Sequence, residues 1–228
     1  MIILLDLLPI VMLGAFLGMD VVTFPQAMIS RPIVAATAAG AFIGNAPAGL
    51  IMGAILELLA LEMLPFGASR YPEWGSASVV GGALYASAWG DPAGALVASL
   101  LAALLTAMVS GWSMVRLRRS NARRAASLKS RLDAGSVDAV TGLQLFGLTA
   151  DLFRGAIVTF VAMLVFKPLT PAIISAWTVD ARDSRAVVVA IVAAVAAGAI
   201  WKIFHSVPKA RIVFVSGLVI GAFLVVTR

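Results

Sequence analysis

Long apolar runs separated by short polar punctuation dominate the chain, and they predict membrane helices rather than the alternating faces of a soluble fold. Residues 2–22 form a first apolar segment that closes near Gly18-Met19-Asp20. Residues 24–44 are interrupted by Pro25, Arg31 and Pro32. A residue before proline is biased away from helix, so the spacing predicts a helix starting at or after Pro32. Residues 48–64 read as a helix of about 17 residues, at the lower limit for crossing a bilayer, stopped by Pro65 and Gly67. A polar hinge covers 68–75, and a helix of small residues follows over 76–90. Asp91-Pro92 makes a turn, with Asp91 a candidate N-cap. The clearest span is Ala93–Val115, 23 residues without a charge. Further apolar segments cover 140–166, 186–204 and 212–227, with breaks expected at Pro168 and Pro171 and a polar loop at Asp180–Arg185. The expected fold is all-α: a polytopic membrane bundle with broken or re-entrant segments in its N-terminal half, forming one integral membrane domain over residues 1–228.

Composition supports this. Of 228 residues, 61% are hydrophobic and 12% charged, and the mean hydropathy is +1.03. Soluble domains carry about 25% charged residues. The net charge of +6 is not a nucleic-acid signal, because seven of the 17 basic residues lie between Arg116 and Arg131, beside a span. That is the positive-inside pattern, and it places residues 116–138 in the cytoplasm, with the basic stretch 116–131 suited to a surface helix. The second basic group, Lys202 to Arg211, falls on the same side if the later segments alternate. The first segment lacks the basic start of a secretory signal and reads as part of the mature chain. The chain has no cysteine, one histidine (His205), and no P-loop, GxSxG or HExxH motif. No cofactor is expected, and energy for transport would come from another chain or an ion gradient.

Candidate chemistry concentrates between Asn45 and Trp74. A carboxylate at bilayer depth costs about 2.5–3.5 kcal/mol on insertion scales and usually faces a protein interior or a water-filled path. Glu57 and Glu62 are five residues apart, about 140° around a helix, so they do not share a face. Carboxylates accept several hydrogen bonds from sugar hydroxyls and also suit protons or cations. The functional reading of Glu57 stands ahead of the alternative, in which it caps a helix or pairs with Arg31 or Arg70 and only holds the fold. Asn45 fits a turn as well as a ligand contact. Ser69, Arg70 and Glu73, with Tyr71 and Trp74, join donor, cation, acceptor and aromatic faces that suit a sugar or a membrane interface. Asp151 and Arg154, at i and i+3, can pair on one helix face.

The series Arg31-Pro32-Ile33-Val34-Ala35, Gly40, Gly44-Asn45, Gly49, Gly53-Ala54-Ile55-Leu56-Glu57, Leu61 and Gly67-Ala68 resembles the IIC component of the mannose/fructose/sorbose class of the bacterial phosphotransferase system (PTS). That family carries Arg-Pro, Gly-Asp, Gly-x-x-Leu-Glu and Gly-Ala in this order. Asn45 stands at its aspartate, and Met28 at a glutamine three residues before Arg-Pro, with Gln26 the nearest glutamine. The resemblance implies a sugar-translocating subunit of a multi-pass kind in the bacterial inner membrane, without catalysis of its own. It implies a IID membrane partner, cytosolic IIA and IIB phosphoryl carriers and a hexose substrate, with Glu57 at the family's sugar-contacting glutamate. The alternatives are an ion-coupled transporter or channel using Glu57 or Glu62, and a membrane scaffold whose acids are structural.

Overall fold

The structure is a computed structural model that describes residues 2–61, 70–88 and 92–226. All the regular elements among them are helices: α1 (Ile2–Asp20), α2 (Pro32–Ile43), α3 (Ala46–Ala60), α4 (Trp74–Ser87), α5 (Pro92–Ser127), α6 (Lys129–Asp133), α7 (Val137–Ser175), α8 (Ala181–Phe204) and α9 (Ala210–Val226). By length and composition, α5, α7 and α8 suffice to cross a membrane.

The N-terminal half is broken, as the prolines and glycines predict. Helix α2 starts at Pro32, whose missing N–H costs nothing in a first turn. It ends at Gly44, which adopts φ 92°, a left-handed conformation that glycine takes without steric cost. Asn45 then caps α3, its Oδ1 accepting from the Ala48 N–H at 3.1 Å. The result is a helical hairpin. Gly40 and Gly49 bring its arms together: a Cβ on Gly40 would stand 2.7 Å from the Gly49 Cα. With 12 and 15 residues, the arms are about 18 and 22 Å long, short of a hydrocarbon core of about 30 Å.

Helix α4 lies at the centre, and every residue from Trp74 to Ala86 is buried. It packs on α1, α2, α3, α5 and α7. Its composition is apolar and small all round, as expected of a helix without a solvent face. Non-helical residues 70–73 lead into it against α5, where the Glu73 N–H donates to the Ala107 carbonyl at 3.0 Å and Gly111 leaves room for the Tyr71 backbone.

Three expectations are corrected. Helix α7 runs through Pro168 and Pro171 instead of breaking. Away from water, freed backbone groups have no solvent to turn to, so continuing the helix loses fewer bonds than ending it. Thr170, between the prolines, also donates from Oγ1 to the Phe166 carbonyl at 2.8 Å. The Asp180–Arg185 stretch is the cap and first turn of α8, because the Asp180 Oδ1 accepts from the Arg182 and Asp183 N–H groups at 2.8 Å each. Finally, the basic stretch is helical as expected, but up to Ser127 it continues α5 unbroken instead of forming a separate surface helix. At 36 residues α5 is about 54 Å long, so its basic end projects well past a hydrocarbon layer. Expectations for Glu62, Pro65, Gly67, Ser69 and Asp91 lie outside the described residues.

Candidate functional site

Where α1 ends, the chain turns sharply through residues 21–31. Gln26 and Met28 both adopt left-handed φ, 59° and 60°, which is uncommon for residues with a side chain and clusters at functional sites. The Asp20 carboxylate holds this turn: Oδ1 accepts from the Ala27 N–H at 2.8 Å, and Oδ2 from the Ser30 N–H at 2.9 Å and the Ser30 hydroxyl at 2.7 Å.

The turn faces residues 71–74 across a cavity of about 280 Å³, near the lower end of the roughly 300–1,000 Å³ range of small-molecule sites. Its polar lining includes Asp20, Gln26, Ser30, Arg31 and Glu73, and its aromatic lining Tyr71 and Trp74. The Gln26 Nε2 donates to the Val22 carbonyl at 2.9 Å. The Trp74 Nε1 is buried without a hydrogen-bond partner among the described residues.

Beneath the cavity lies a buried charge network. Glu73, 1% exposed, caps α4 through Oε1 and the Ser76 N–H at 3.1 Å. Its Oε2 accepts from the Ser110 hydroxyl at 2.6 Å and lies 3.9 Å from Arg154 Nη1. Arg154 donates from Nε to Asp151 at 2.7 Å, from Nη1 to Ser110 at 2.7 Å and from Nη2 to the Gly18 carbonyl at 3.0 Å. Thr23 donates to Asp151, so the network ties the cavity's turn to α7. Buried charges persist when they are paired and hydrogen-bonded, and these are.

The structure thus brings Gln26 and Glu73 to one cavity. Glu57 accepts from the Arg31 guanidinium, itself in the cavity wall, and from the Ile33 N–H at 3.2 Å. The pairing with Arg31 is one of the alternatives open from sequence. Asn45 sits at the hairpin turn, its side chain engaged as a cap. Arg70 lines a different cavity, with Trp112, Arg116 and Arg119. Ser69 lies outside the described residues. Sequence reasoning missed Asp20 as a site residue and treated Asp151 and Arg154 as an isolated pair. An acid closing an apolar run was the available signal for the first. For the pair, the meeting with Glu73 and Ser110 depends on helices far apart in the chain.

The described residues, with helices as their only regular elements and three of these able to span a bilayer, put the chain in the class of membrane helical bundles, here with buried charges beside a polar cavity. The sequence model of the PTS system sorbose-specific IIC component matches residues 4–227, and the chain belongs to that family. It is a sugar-transporting membrane subunit of a phosphotransferase system and works in a complex with other subunits. Among curated proteins, no match to the chain was found.

Proposed function

We propose that this chain binds a hexose in the cavity between the 21–31 turn and residues 71–74, and carries it across the bacterial inner membrane as a single multi-pass domain. A IID subunit completes the pathway, and a IIB subunit, charged by IIA, phosphorylates the sugar at the cytoplasmic face. The observation that carries the reading is one cavity holding a carboxylate (Glu73), an amide (Gln26), a guanidinium (Arg31) and two aromatic side chains. Acceptors and donors of this kind match sugar hydroxyls, and aromatic faces match the apolar faces of the ring. In this reading Glu57 acts by fixing Arg31 against the sugar, and Asn45 by fixing the hairpin that carries both.

The test is uptake of labelled hexoses by cells expressing the chain with its neighbouring genes, with analysis of the internal product. Sugar phosphate formed only with phosphoenolpyruvate supports the proposal. Free sugar whose entry collapses with an ionophore replaces it with ion-coupled transport. Glu57→Gln is expected to abolish uptake while the protein stays in the membrane; normal uptake by that variant removes Glu57 from the site.

A further inference from the structure

Along α5, Leu105, Val109, Trp112, Arg116 and Arg119 fall within about 80° of arc, so they form one stripe that runs from apolar through aromatic to cationic. All five are exposed. At the apolar end, Leu105 and Val109 form one wall of a groove of about 290 Å³, and Ile157, Val161 and Val165 of α7 the other. At the cationic end, Arg70, Arg116 and Arg119 surround a cavity of about 400 Å³ with Trp112 and Val115, and no acid is among the described residues that line it. The Arg116 guanidinium lies over the Trp112 ring at 4.3 Å from its centroid, which orients it at the cavity mouth.

We propose that this face binds an anionic phospholipid, its phosphate among Arg70, Arg116 and Arg119 and an acyl chain along the α5–α7 groove. The parts occur in the order a lipid requires. Guanidinium groups recognise phosphate oxygens through paired N–H donors. Tryptophan marks the interface between headgroups and hydrocarbon. The groove beyond it has room for an alkyl chain, and its one polar lining residue, Thr106, is buried with its hydroxyl donating to the Ala102 carbonyl at 2.7 Å. Soluble phosphate would make no use of the groove, and a cytosolic protein would make no use of the apolar half of the stripe. The inference does not depend on the identity of the sugar or on the cavity at the 21–31 turn.

The experiment reconstitutes the full chain in phosphatidylcholine vesicles containing phosphatidylglycerol or phosphatidylcholine brominated high in the acyl chain. The Trp112 signal is the difference in fluorescence between the protein and its Trp112→Phe variant. Half-quenching of that signal is expected at about tenfold lower mole fraction of brominated phosphatidylglycerol than of brominated phosphatidylcholine. Equal quenching by the two lipids overturns the proposal, with no arginine variant needing to fold. The triple variant Arg70→Gln, Arg116→Gln, Arg119→Gln should lose the preference, whereas Arg123→Gln with Arg131→Gln should keep it. If both sets lose it alike, general surface charge explains the effect and the site is abandoned. Inorganic phosphate, at ionic strength matched with chloride, should leave the preference intact; if it erases the preference, the cradle takes free phosphate instead. A triple variant that keeps the lipid preference but loses sugar phosphorylation assigns the arginines to a phosphorylated protein and refutes the lipid.

Discussion

At the scale of single residues, Arg154 bears the largest consequence. It neutralises charge beside two carboxylates, Glu73 and Asp151, that are 1% and 0% exposed. Removing one member of a buried charge group leaves the others uncompensated and costs about 3–5 kcal/mol. Arg154→Met is therefore expected to lower the unfolding midpoint in detergent sharply, and Arg154→Lys, with a single ammonium in place of the fork, to recover only part of the loss. A midpoint unchanged in Arg154→Met would show that the network contributes nothing to stability. Asn45 tests a smaller effect. Its cap of α3 is worth about 1 kcal/mol, so Asn45→Ala should destabilise by that amount while Asn45→Asp should not. The same thermal measurement separates the two outcomes.

At the scale of elements, the α2–α3 hairpin and α4 determine where the cavity can be. Arg31 and Pro32, at the start of α2, stand in the cavity wall, and Glu57 reaches Arg31 from α3. The hairpin depends on close backbone approach: a Cβ on Gly49 would stand 2.9 Å from the Gly40 Cα and closer still to the Ala36 carbonyl oxygen. Gly49→Val is expected to push the arms apart, separate Glu57 from Arg31 and abolish uptake as fully as Glu57→Gln, with a larger loss of thermal stability. Uptake retained in Gly49→Val would mean that transport tolerates a loosened hairpin. Helix α7 contributes differently. It runs 39 residues and carries Asp151 and Arg154 on one helix packed beside α1, α4 and α5.

At the scale of the whole molecule, burial is uneven. Helices α1 to α5 and α7 make the packed body, while only 6% of the residues in the most apolar stretch of α8 are buried. The described side chains of α9 present Ile212, Val213, Leu218, Val219, Ile220 and Phe223 outward, and Phe214 meets Trp201 of α8 at 5.4 Å between ring centroids. In a membrane protein such surfaces face lipid or another subunit, which fits a chain that works in a complex. Orientation can be measured directly, because the chain has no cysteine. A single cysteine at Arg123 is expected to react with an impermeant maleimide only in inside-out vesicles, with the basic end of α5 in the cytoplasm. Labelling in intact spheroplasts alone would reverse the topology.

The sequence by itself determined the class, the family resemblance and most helix positions. Continuous apolar segments of this length satisfy their backbone groups within themselves as helices, and proline and glycine mark local starts and stops such as Pro32 and Gly44. It determined the hairpin's break at Gly44-Asn45 and the i, i+3 pairing of Asp151 with Arg154, since both are set by neighbours along the chain. Only the tertiary structure decided which polar groups share a cavity. Asp20, Gln26, Arg31 and Glu73 meet through helix packing, and Arg154 reaches Glu73 from a helix that begins 64 residues after it. It also decided that Arg70 joins the arginines of α5 rather than the cavity of Glu73, although the two are three residues apart. Such meetings depend on which faces of distant helices come into contact, and no local pattern of hydrophobicity or charge carries that information.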